Sequence, residues 1–205
     1  MVHVRAIAAG DIDQIRAVTL ATGDAGRDTS PLYRDGSLIS DIYSAPYVRF
    51  DPEACLVVED EAGVAGYIVG AFDTRSFEER LEREWWPELR RIHPDPSGDQ
   101  SGWSADERLQ FMIHHPPRTP DAIVAAFPAH IHMNLLPRLQ GRGVGATLLD
   151  AWRKKARLAG VRGVHLGADP LNGGALRFWA ARGLTRLGPP FADPADATVW
   201  FGQRL

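Results

Sequence analysis

The chain carries a single cysteine, Cys55, among 205 residues, so no internal disulfide can form. A fold without such a staple suits a reducing compartment, and a cytoplasmic location is expected. No apolar run approaches the ~18 residues that a spanning helix needs, so no membrane partner is expected. Met1 to Ala9 lacks the basic-then-apolar layout of a secretory leader. The formal net charge of −3 offers no cationic excess, so no nucleic-acid partner is expected either. There is no His-Glu-x-x-His motif, and the one cysteine has no metal-ligating companion, so no metal site is expected. What is present is ordinary for a globular protein: 44% hydrophobic and 24% charged residues. Such a mixture can bury a real core, and the length suits a single domain over residues 1–205.

The hydrophobic pattern alternates between strand and helix periods. Val2 to Ile7 reads as a short strand, and Gly10-Asp11 opens a helix with Ile12, Ile15, Val18 and Leu20 roughly on one face. Cys55–Val58 and Val64–Ala71, joined by the turn Glu59 to Gly63, read as an antiparallel hairpin with a buried thiol. Glu78 to Arg91 is a charged helix bearing Trp85 and Trp86, followed by the breakers Pro94, Pro96, Gly98 and Gly102. A second helix starts at Ser104 and is ended by Pro116, Pro117 and Pro120. Residues 73–128 are therefore expected to form a helical insertion between two strands. Then come a strand (129–136), a helix (144–158), a strand (161–167), a helix (172–182) and a strand (198–201), with Gly160 and Gly183 closing the helices. This order implies an α/β fold with at least one parallel crossover.

Between the 129–136 strand and the 144–158 helix lies Gln140-Gly141-Arg142-Gly143-Val144-Gly145-Ala146. A helix start presents backbone N–H groups without intrahelical partners and the positive end of the dipole. Glycines let that backbone approach phosphate oxygens closely, and Arg138 and Arg142 add cationic reach. The loop suits a phosphate or pyrophosphate. A dinucleotide fingerprint, Gly141-x-Gly143-x-x-Ala146, is a poorer reading, because too little chain follows for a dinucleotide sheet and no acidic residue stands ~20 positions on.

The loop also meets the pattern Gln/Arg-x-x-Gly-x-Gly/Ala through Gln140, Gly143 and Gly145. The following helix, Asn172-x-x-Ala175-x-x-Phe178-Trp179-x-x-x-Gly183-Leu184, differs from Asn-x-x-Ala-x-x-Phe-Tyr-x-x-x-Gly-Phe only at Trp179 and Leu184. In both respects the chain resembles the GNAT acetyltransferase family. Phe50 to Glu61, Ala65 to Ala71, Trp85-Trp86-Pro87 and Phe127-Pro128 narrow the likeness to the acetyltransferase-like C-terminal domains of O-GlcNAcases, and a free-standing bacterial-type relative is expected.

The resemblance implies a mixed central sheet of six or seven strands flanked by helices, with the insertion before the central strand. It implies acetyl-CoA as cosubstrate and direct acetyl transfer to an amine acceptor, a small molecule or a protein. In such proteins the pantetheine arm enters a gap beside the central strand, so the backbone of Met133, Asn134 and Leu135 would pair with it. Gln140, Gly141, Arg142, Gly143, Val144, Gly145 and Ala146 would hold the pyrophosphate. Asn172, Ala175 and Phe178 would line the far side. Trp179 stands where many relatives use a tyrosine to protonate the departing thiolate. A non-catalytic acetyl-CoA-binding or protein-interaction module is the alternative.

His130 and His132, two apart, share one face of their strand. They either line an acceptor cleft or supply a base, with His132 the candidate. Trp85, Trp86 and Trp103 are expected to pack the core of the insertion, an aromatic ligand floor being the alternative.

Overall fold

The computed structural model describes residues 2–189, Phe191 and 198–205. Seven strands form one mixed sheet in the order β1-β2-β3-β4-β5-β7-β6. Their ranges are β1 His3–Ala6, β2 Leu56–Asp60, β3 Gly63–Ala71, β4 Ala129–Leu135, β5 Gly163–Ala168, β6 Thr185–Arg186 and β7 Val199–Arg204. Every neighbouring pair is antiparallel except β4 and β5, which are joined by a crossover through the helix α8 (Val144–Leu158). One face of the sheet packs on α8 and α9 (Gly173–Ala181). There Trp152 is fully buried, with its indole N–H donating to the Ala54 carbonyl at 2.8 Å.

The opposite face packs on α1 (Ile12–Thr22), α2 (Ser37–Tyr43), α3 (Ala45–Phe50) and the insertion. The insertion between β3 and β4 consists of α4 (Thr74–Glu84), α5 (Trp86–Ile92), α6 (Ala105–His114) and α7 (Asp121–Ala126). The single helix expected over Glu78 to Arg91 is thus two. Pro87 has no N–H and its ring clashes with the carbonyl four residues back, so the helix stops at Trp85 and restarts with proline in its first turn. The three insertion tryptophans make no common floor. Trp86 is buried in the core, Trp85 donates to the Asp41 carbonyl at 2.8 Å, and Trp103 packs on Phe111. The first strand of the hairpin begins one residue late, because the Cys55 N–H closes a turn onto Pro52. The Cys55 thiol is fully buried, and burial pushes it up to about 12.

Candidate active site

The sheet opens at its centre. β4 and β5 are paired only at Ala129 with Val164 and His130 with His165, while β4 stays paired with β3 through Leu135. Beyond His130 the two parallel strands part. The register decides which backbone groups face the gap. Leu136 donates its N–H to Ala65, so pairs two apart from it along β4, among them Asn134 with Tyr67, direct both polar groups at β3. Met133 and Leu135 point theirs the other way, into the gap. Of the three backbones expected there, Asn134 is turned aside. Its side-chain amide instead donates to Thr22 Oγ1 at 2.7 Å, tethering the C-terminal end of α1 to the site.

The glycine loop closes one end of this gap. Gly141 and Gly143 have φ of +68° and +78°, and a Cβ on either would meet nothing within 4 Å. Gly143 is the N-cap of α8, so the first-turn amides open toward the gap. Gly145 is small for another reason: a Cβ there would lie 3.2 Å from the Phe178 ring, so it lets α8 and α9 approach. The Gln140 side chain reaches back to the Leu135 carbonyl at 2.8 Å and holds the loop against the strand. Arg138, read above as cationic reach, is engaged by Asp60 at 2.7 Å and 3.1 Å, and that pairing pulls Asp60 down to about 2. Arg142 bonds the Arg138 carbonyl and the Val144 side chain is buried, and neither residue lines the gap. Across the gap the Asn172 side chain caps α9 through the Ala175 N–H at 2.9 Å. Phe178 is half-buried and Trp179 nearly fully buried on the same wall. Together these elements enclose about 900 Å³.

A second cavity of about 1060 Å³ lies on the α1 side of the sheet and meets the first at Ile131, His132, Leu166 and Gly167. Tyr43, Tyr47, Tyr67, Phe77 and Met112 wall it, and α4 with residues 116–119 covers it. Glu78 fixes that cover, taking the Thr119 N–H at 3.0 Å while paired with Arg75 at 2.5 Å. His132 Nε2 lies 3.1 Å from Tyr47 Oη, which lies 2.9 Å from His130 Nε2. His130 Nδ1 lies 2.9 Å from Thr74 Oγ1. The Tyr47 ring stacks on Phe77 at 4.4 Å. His165, on β5, sits beside His130 with ring centres 5.7 Å apart and bonds the Phe127 carbonyl through Nδ1 at 2.6 Å. Desolvation holds His132 and His165 down to about 4 and His130 well below its ordinary value, so all three rings are neutral at pH 7.

The comparisons agree with this geometry. A model of the acetyltransferase (GNAT) family matches residues 24–184. The chain belongs to the GNAT family. The crystal structure of SsHAT superposes with a TM-score of 0.88 at 32% identity, covering 99% of this chain and 98% of that one. The O-GlcNAcase of Rattus norvegicus is 23% identical over 170 residues, which are 82% of this chain and 18% of the rat protein. The chain thus spans less than a fifth of the length of the curated relatives it matches. PaiA N-acetyltransferase from Thermoplasma acidophilum, solved in complex with coenzyme A, shares the fold at a TM-score of 0.59 and 13% identity, covering 100% of this chain and 99% of that one.

In this GNAT fold the residues singled out from the sequence converge. Met133, Asn134, Leu135, Gln140, Gly141, Gly143, Gly145 and Ala146 border the first cavity from one side, and Asn172, Ala175, Phe178 and Trp179 from the other, with His132 at the junction. Tyr47, Thr74 and His165 escaped the sequence reading. His165 had a local signal, an imidazole inside the apolar strand Val161 to Gly167. Tyr47 had none, being brought to His130 from 83 residues away. Among the described residues no cluster suits a metal ion, and no helix is long and apolar enough to cross a membrane.

Proposed function

We propose that this GNAT protein is an acetyl-CoA-dependent N-acetyltransferase acting on a small amine. The observation that carries the reading is the gap itself. Backbone of Met133 and Leu135 turned away from β3, a glycine-cleared helix start and a second cavity holding neutral imidazoles all meet at one point. The amides of residues 141–146 receive the pyrophosphate, Met133 and Leu135 pair with the pantetheine arm, and Asn172, Ala175 and Phe178 flank it. His132 accepts the proton that the amine nitrogen releases as the C–N bond forms. The C–S bond breaks with its electron pair leaving on sulfur, and the thiolate takes its proton from water or from His132. Orientation of the two reactants supplies much of the rate.

The aromatic walls of the acceptor cavity favour an amine on an apolar body, and 2-phenylethylamine is a suitable probe. Acetyl-CoA at 100 times its Kd is expected to stabilise the folded protein by about 2.7 kcal/mol, seen as a raised Tm, with NADH without effect. CoA release with 2-phenylethylamine, spermidine or a lysine peptide then separates an enzyme from a module that only binds. No thermal shift in folded, CoA-free protein would overturn the reading.

Trp179 is placed beside the thioester sulfur by the same reading. An indole N–H donates a hydrogen bond but gives up no proton near neutral pH. A thiolate with a pKa near ~8.5 leaves without a general acid. Trp179→Phe is therefore expected to lower kcat by about tenfold or less, against the roughly 10²–10⁴-fold of acid-base catalysis. A thousandfold loss at unchanged CoA affinity would give the indole an essential part.

A further inference from the structure

The hydrogen-bond chain in the acceptor cavity has a direction, which its anchored end reveals. Thr74 Oγ1 lies 2.7 Å from the Pro128 carbonyl oxygen. A carbonyl oxygen only accepts, and two oxygens so close need a proton between them. The hydroxyl has one proton, so it is committed to Pro128. The contact at 2.9 Å between Thr74 Oγ1 and His130 Nδ1 then takes its proton from the ring. A neutral His130 with Nδ1–H has a bare Nε2, which accepts from the Tyr47 hydroxyl at 2.9 Å. Burial pushes the Tyr47 phenol well above its ordinary value, so it stays neutral and has only that proton to give. Its oxygen must accept at the remaining contact, the 3.1 Å one to His132 Nε2. His132 therefore carries its proton on Nε2. Its Nδ1 has no partner among the described residues.

We propose that Thr74, His130 and Tyr47 are positioning residues that lock His132 in the Nε2–H tautomer, leaving the Nδ1 lone pair free for the acceptor amine where the two cavities meet. The assignment rests on the reading of His132 as the base. A neutral imidazole alone exchanges its tautomers readily. A wrong tautomer has no lone pair at Nδ1, and the base is lost although the ring stays in place. His165 is fixed separately, because its Nδ1–H donates to the Phe127 carbonyl. The groups around His132 are the Tyr43 edge at 5.8 Å, Tyr47, and the rings of His130 and, behind it, His165. None of them carries a charge at pH 7 that would stabilise an imidazolium at rest.

The test is a long-range proton–nitrogen spectrum of histidine-labelled protein at pH 7, assigned with single His→Gln variants. His130 and His165 should appear as Nδ1–H and His132 as Nε2–H. Thr74→Val removes the anchor while the Thr74 N–H still holds Pro128 at 2.8 Å. In that variant His132 should shift to Nδ1–H or to a mixture, with the thermal shift by acetyl-CoA unchanged. Tyr47→Phe should do the same. His132 found as Nδ1–H in the native protein, or unmoved in both variants, overturns the lock. Correct tautomers in a protein that acetyl-CoA fails to stabilise would instead overturn the proposed activity.

Discussion

Gly143→Asp is expected to weaken acetyl-CoA binding at least a thousandfold, about 4 kcal/mol, while the protein stays folded. Gly143 caps α8 with φ of +78°, a conformation that aspartate tolerates better than most residues, and a Cβ there meets open space. The fold therefore has room for the side chain. The carboxylate, however, is itself a good cap. It would accept from the first-turn amides of α8 and stand at the positive end of the dipole, both of which the pyrophosphate needs. What remains for the ligand is repulsion between like charges. Gly143→Ala separates this from the bulk of a Cβ, since alanine puts an uncharged methyl in the same space, its left-handed penalty of roughly 1–2 kcal/mol falling on folding in the free and bound states alike. Calorimetry with acetyl-CoA should find the alanine variant weakened by about tenfold or somewhat more and the aspartate variant without measurable binding. An aspartate variant within tenfold of the native protein would make the loop a turn and nothing else.

The features legible in the sequence are those whose cause is local. Gly141 and Gly143 announce positive φ and Gly160 and Gly183 end helices, whereas the break at Pro87 falls inside what reads as one helix, although its own chemistry requires it. The face shared by His130 and His132 follows from the strand period alone. The direction of backbone groups along β4 was not legible, because it depends on the register with β3. That register is set by packing of the whole sheet, and it turns the Asn134 backbone toward β3 while its side chain holds the end of α1. Arg138 was misread for the same reason, since its partner Asp60 arrives from a hairpin 78 residues earlier. The chain from Thr74 to His132 draws on α3, α4 and β4. Only the fold assembles it.

His132→Gln is expected to cut kcat by roughly 10²–10⁴-fold with little change in acetyl-CoA affinity. Glutamine offers an amide N–H near the place of Nε2–H, so it can keep Tyr47 supplied with a donor, but it has no basic lone pair. The low pKa of His132, about 4, sharpens the expectation. Such a ring is neutral across the neutral range and ready to accept, yet it cannot strip a free ammonium whose pKa is near ~10. It can accept only once C–N bond formation has made the nitrogen strongly acidic. The acceptor must therefore enter as the free amine, into a cavity walled by Tyr43, Tyr47, Phe77 and Met112, two of whose carboxylates, Glu78 and Glu82, are already paired with Arg75 and Arg90. Two signatures follow. In the native protein kcat/KM for 2-phenylethylamine should rise about tenfold per pH unit between pH 6 and 9, following the free amine. His165→Gln, which removes another neutral imidazole from the same cavity, should cost less than tenfold. If His165→Gln proves the crippling substitution and His132→Gln the mild one, the base lies on β5 instead of β4.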